Sequence, residues 1–162
     1  MYNNFITYKT IKELKSKKFD WSAVPNVKGI YIVVYDGKNT QSFLSKGSGG
    51  FFKKIDPNVS VEILKQNWTR FKLEEENIIY IGKAGGKNTR STLKKRIKSY
   101  IRFGSGKPSS HRGGRYIWQL VNSDSLKIYW KEVVDPIKEE KLMLLDFKSR
   151  HDDKLPFANL RM

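Results

Sequence analysis

Apolar positions along this chain alternate between short uninterrupted runs and longer, periodically interrupted ones. The runs Lys28-Gly-Ile-Tyr-Ile-Val-Val-Tyr35 and Asn77-Ile-Ile-Tyr-Ile-Gly-Lys-Ala84 are β-branched and aromatic, are bounded by Gly, Asp or Lys, and read as buried strands. Tyr31 and Tyr80, one on each, then face a common surface. Leu126, Ile128 and Trp130 alternate with Lys and Tyr, which predicts a third strand over Leu126 to Val133. The period changes at Leu93. Leu93, Ile97, Tyr100 and Ile101 recur at i, i+4, i+7 and i+8, the stripe of an amphipathic helix that Ser91 or Thr92 can cap. A second strong helix begins where Asp135 can cap and Pro136 suits the first turn. On it Glu140, Met143, Leu144 and Phe147 share a face, so a carboxylate interrupts an apolar stripe and wants a cation. Glu139 aligns with Leu142, Met143 and Asp146 and reads as its solvated neighbour.

Weaker patterns predict a short surface helix over Thr10 to Phe19, a helix from Val59 to Trp68, and a strand or helix from Tyr116 to Leu120. Asp36-Gly37, Gly47-Ser-Gly-Gly50 and Asp56-Pro57 punctuate the long connection between the first two strands. Its piece Lys46-Gly-Ser-Gly-Gly-Phe51 lacks the Lys-Ser/Thr ending of a phosphate loop and reads as a flexible loop or an extra hairpin turn. The expected architecture is one α/β (α+β) domain over 1–162: a three-stranded antiparallel central sheet flanked by helices, a helical extension over 1–26, and an insertion over 36–77 on the sheet's rim.

Charge narrows the function. The 162 residues hold 32 Lys and Arg against 16 Asp and Glu, a formal charge of +16 that suits an acidic polymer. Basic residues concentrate between Lys83 and Arg115, interleaved with Tyr100, Phe103 and Tyr116, as expected where phosphates are gripped and bases meet rings. Acidic residues sit elsewhere, in Glu74-Glu-Glu76 and from Asp135 to Asp153. The chain has no cysteine, which excludes disulfides, thiolate zinc sites and a cysteine nucleophile. No run approaches the roughly 20 apolar residues of a membrane span, so the expectation is a soluble cytoplasmic protein with no membrane partner.

Arg96 and Tyr100 lie four apart on the basic helix, where a planar guanidinium beside a phenol can grip a phosphate. With Gly29-Ile30-Tyr31 and Tyr80-Ile81-Gly82 before this helix, and Glu140 after it, the chain resembles the GIY-YIG endonuclease family. Lys83, in Tyr80-Ile-Gly-Lys-Ala84, resembles the string of the family's repair-type members, where the amine neighbours the phosphate. Pro156-Phe-Ala-Asn159 resembles the family's closing asparagine with one residue inserted. The insertion over 36–77 is longer than the hairpin that usually joins the two motif strands.

The resemblance implies a metal-dependent endonuclease that hydrolyses DNA, with Tyr31, Tyr80, Arg96, Tyr100, His111 and Glu140 as catalytic residues. Lys83, Lys95, Arg112 and Arg115 are the expected substrate contacts. Glu140 is the single carboxylate ligand of one Mg²⁺, with Mn²⁺ as a substitute. Tyr31 is the implied base; since an ordinary tyrosine ionises near ~10, that role needs the field of Lys83, Arg96 and the metal. His111, placed more loosely by the resemblance, is the alternative base or relay. The expected partner is double-stranded DNA, bound by a monomer or weak dimer. The competing readings are a non-cleaving nucleic-acid-binding module on the same fold, and a protein whose basic surface docks an acidic protein.

Overall fold

The structure is a computed structural model that describes residues 4–35, 41–68, 77–109 and 112–162. Asp36-Gly37, Glu74 to Glu76 and His111 lie outside the described residues. The chain runs through β1 (Thr7–Thr10), α1 (Ile11–Lys15), β2 (Gly29–Val34), α2 (Val61–Trp68), β3 (Ile78–Ala84), α3 (Leu93–Gly104), β4 (Lys127–Glu132) and α4 (Pro136–Arg150). The strands form one antiparallel sheet in the order β1-β4-β2-β3.

Four strands, not three, make the sheet, and the first of them falls in the segment read as wholly helical. β1 pairs Thr7 with Trp130 and Thr10 with Lys127, which places it on the outer edge of β4. Four residues with half their positions exposed carry too little alternation to mark a strand. Thr10 ends it by capping α1: its hydroxyl accepts from the Glu13 amide at 3.1 Å while its own amide donates to the Glu13 carboxylate at 2.8 Å. That box starts the helix, and Ser16 ends it in extended conformation, short of the expected Phe19.

β2 is one of the two inner strands, and all six of its residues are buried. Its register fixes two faces. Tyr31 lies opposite Gly82 and Trp130, whereas Ile30 lies opposite Lys83 and Lys131. α3 covers the Tyr31 face, where Leu93 packs against Gly29. α4 covers the other face, where Lys131 and Lys83 reach up to Glu139 and Glu140. Thr92 caps α3 by accepting from the Lys95 amide, and Asp135 caps α4 by accepting from the Lys138 amide at 3.1 Å.

The insertion is fastened rather than loose where it is described. Buried Gln119 accepts from the Val59 amide at 2.9 Å and donates to the carbonyls of Val59 and Leu44, at 2.9 and 3.0 Å. All its amide valences toward the insertion are satisfied, so it stitches 41–59 to the buried 3₁₀ turn Arg115–Gln119. At the far edge, Asn159 accepts from the Ile81 amide at 2.9 Å and donates to the Ile81 carbonyl at 2.8 Å. Ala158 adds an amide bond to the Ile79 carbonyl, and together they cover an otherwise open β3 edge. Among the described residues no helix is long and apolar enough to cross a membrane.

Candidate active site

The sheet and its two facing helices bring the motif residues together at one end of β3. Tyr31, Tyr80 and Tyr100 form a ring cluster with centroid separations of 6.0, 6.1 and 5.8 Å. Gly82 makes this possible. A Cβ there would stand 2.5 Å from Tyr31 Cζ and 2.6 Å from its hydroxyl oxygen, so only glycine lets the ring lie flat across β3. Gly82→Ala is therefore expected to overpack a ring that is 1% exposed, at a cost of about 1–3 kcal/mol. That corresponds to a melting temperature lower by about 3–10 °C in a domain of this size. An unchanged thermal melt would mean that Tyr31 has room to move.

Arg96 rises from α3 into this cluster. Burial alone would lower its pKa, but Tyr31, Tyr80 and Glu140 oppose that and leave it raised, so the guanidinium is a permanent cation. Tyr80 is pushed well up, first by burial and then by Tyr31, against the pull of Arg96. Tyr100 is pushed up by burial and by the two neighbouring phenols. Both remain protonated donors at neutral pH. The Tyr100 hydroxyl spends its proton on the Gly114 carbonyl at 2.8 Å, so it holds the Gly113-Gly114 turn rather than opening to solvent. Gly114 is left-handed, φ 71°, and a Cβ on it would meet that same hydroxyl at 2.6 Å.

A cleft of about 360 Å³ opens over Tyr80, Lys83, Arg96, Arg112, Arg115 and Glu140. Asn159, Leu160, Arg161 and Met162 close one side. A second opening of about 240 Å³ continues past Tyr80, Lys83, Arg96 and Glu140 to the hydroxyls of Thr89 and Ser91. Among the described residues Glu140 is the only acidic side chain lining either space. Its carboxylate is 17% exposed and accepts from Lys83 Nζ. Glu139 instead pairs with Lys131 at 2.8 Å. Tyr31 does not reach the cleft; it borders a cavity of about 10 Å³ with Arg96, Ser99, Tyr100, Ser109 and Gly113, about the room one water needs.

The substrate contacts divide. Lys83, Arg112 and Arg115 line the cleft, whereas exposed Lys95 donates to the Arg90 carbonyl at 3.4 Å and stands outside it. Arg161 was not singled out by any pattern, although Asn159 two residues earlier was; the Asn159 clip carries it there. The Gly113-Gly114 pair that lines the cleft was not singled out from the sequence either. No family model, no curated protein and no solved structure matches this chain.

Proposed function

We propose that this protein is a metal-dependent endonuclease that hydrolyses DNA phosphodiesters through a GIY-YIG-type site. One observation carries the reading: Arg96 and Glu140, from helices on opposite faces of the sheet, border the same cleft beside Tyr80 and Lys83. A cleft with four or more cations and one acid suits a polyanion that brings its own negative charge. The donor set fits Mg²⁺. Among the described residues no group of three or more His, Cys, Asp or Glu could hold a metal, and Mg²⁺ is commonly held by one or two carboxylates, with waters and phosphate oxygens filling its other positions. Glu140 would hold it, and when bound it supplies charge neutralisation at the phosphate and the departing oxygen.

The chain's own residues do the rest. Arg96 donates its planar fork to the phosphate as charge develops, from a site where neighbouring phenols keep it fixed. Tyr80 donates a proton-bearing hydroxyl at the cleft wall. Tyr31 stands behind Arg96 on a cavity with room for one water, and as the phenolate it takes the proton of the attacking water through that intervening water. Lys83 orients Glu140, and Arg112 and Arg115 grip the flanking backbone.

The Lys83–Glu140 ion pair, which satisfies the carboxylate without a metal, favours a second reading: a nucleic-acid-binding module that does not cut. Supercoiled plasmid separates the two. Nicked or linear product only in the presence of Mg²⁺ is the expected result; retarded but intact plasmid in both conditions selects the binding module. The affinity for duplex DNA should also fall with salt, with a log–log slope of about −0.9 for each phosphate contact. A flat dependence up to physiological salt would remove nucleic acid as the partner.

A further inference from the structure

The insertion carries an element that the cleft does not explain. Phe52 and Ile55 exchange two backbone hydrogen bonds, at 3.0 and 2.8 Å, and close a two-residue hairpin turn. Its central residues are Lys53 and Lys54, both left-handed at φ 47° and 68°. Two positive φ values in succession are the pattern that favours Asn-Gly, because a side chain beyond Cβ gains nothing there and the Cβ itself is strained. Lysine is a poor choice for such a turn on conformational grounds, so an observed pair points to something the turn does.

What surrounds the turn is apolar, basic and outward. Phe51 is 54% and Ile55 51% exposed, large side chains left in water on either strand of the hairpin. Lys53 folds its amine over the Phe52 ring at 5.4 Å, and among the described residues neither turn lysine meets an acid. The nearest carboxylate in sequence, Asp56, is taken by the amide and side chain of Asn58, at 2.9 and 2.7 Å. The hairpin is anchored to the site. Gly50 donates to the Phe103 carbonyl at the end of α3, and Ser109 donates to the Phe51 carbonyl. Arg112, which lines the cleft, sets its guanidinium 5.4 Å from the centre of the Phe52 ring.

We propose that this hairpin is a groove probe for double-stranded DNA: Lys53 and Lys54 straddle phosphates while Phe51 and Ile55 press an apolar wedge against base steps next to the scissile bond. The inference rests on the nuclease reading for its ligand and deepens it by naming what holds the duplex beside the cleft. Phosphates match lysines that meet no acid among the described residues, and Phe51 and Ile55, exposed on either side of the two-residue turn, stand where groove-binding wedges do. Stacked Arg112 couples probe and cleft into one surface.

The test turns on two effects of opposite sign. Lys53→Asn with Lys54→Gly gives the turn the residues its backbone favours, so the variant should melt at or above the wild-type temperature. Its duplex affinity should nonetheless fall, with a log–log salt slope shallower by about 1.8, two contacts at about 0.9 each. Phe51→Ala with Ile55→Ala should keep the wild-type salt slope, lower duplex affinity about tenfold, and abolish the fluorescence rise of a 2-aminopurine placed at the unstacked step. If the wild type binds and cuts DNA while both double variants match its affinity, slope and fluorescence, the hairpin is only a turn and the nuclease reading stands. If the variants lose single-stranded and duplex binding equally, the probe is not for a groove, and the proposal fails. If the wild type neither binds nor cuts DNA, the nuclease reading fails, and the probe with it.

Discussion

Replacing Glu140 by alanine is expected to abolish Mg²⁺-supported cleavage while duplex DNA is still bound. The carboxylate is the only acidic side chain lining the cleft among the described residues, so without it no side chain there offers a metal an anionic anchor. Binding should hold or tighten, because the substitution also frees Lys83 from its ion pair and adds one net positive charge to a cleft already lined by Arg96, Arg112 and Arg115. Glu139→Ala is the control one residue away. It breaks only a partly buried pair with Lys131, outside the cleft, and should cut at nearly the wild-type rate. Gel shift in Ca²⁺ and plasmid cleavage in Mg²⁺, run on both variants, measure the two effects separately. Wild-type cleavage by Glu140→Ala would mean that the metal, if one is used, sits elsewhere.

The second large effect belongs to Arg96. Arg96→Ala should slow the chemical step by on the order of 10²-fold or more, comparable to losing one preorganised donor. Arg96→Lys should recover little, since an ammonium keeps the charge and loses the planar fork. The surroundings sharpen this expectation: Tyr31, Tyr80 and Glu140 all favour the charged guanidinium, and Tyr31 does so in part through a hydrogen bond. Affinity should fall far less, because Arg112, Arg115 and Lys83 remain at the cleft. Single-turnover cleavage at saturating enzyme, with binding measured in parallel in Ca²⁺, reads both quantities. A wild-type single-turnover rate for Arg96→Ala would reduce Arg96 to a cation that packs against phenols, and the nuclease reading would lose its main support.

Local patterns were enough to place the central elements of this protein. β2 and β3 lie within a residue or two of their apolar runs, and α3 and α4 start at Thr92 and Asp135 because caps and stripe are both written within a few neighbouring residues. The pairing of Tyr31 with Gly82 is a register that the two runs leave open, and it brings the three phenols together. Glu140 announced itself by interrupting an apolar face.

Other features depend on partners distant in sequence. β1 is a strand only because β4 offers it an edge; its four residues have no buried face of their own. The turn Arg115–Gln119 takes 3₁₀ form in a setting made by others: the Trp118 ring fills the space above Gly104, and Gln119 spends its amide on the insertion. Lys83 and Lys95 look alike along the chain, one near the end of a strand and one on a helix, and only the sheet register turns the first toward Glu140 while the second stays in solvent. Arg161 enters the cleft because Asn159 is bonded to β3, a contact 78 residues long that no window of sequence contains. Periodicity and capping are decided by neighbours a turn or a strand apart, so the sequence by itself determined the central strands, the two long helices and most of the side chains that could do chemistry. Which of those side chains meet is a matter of register and long-range hydrogen bonds, and the tertiary structure alone decided it.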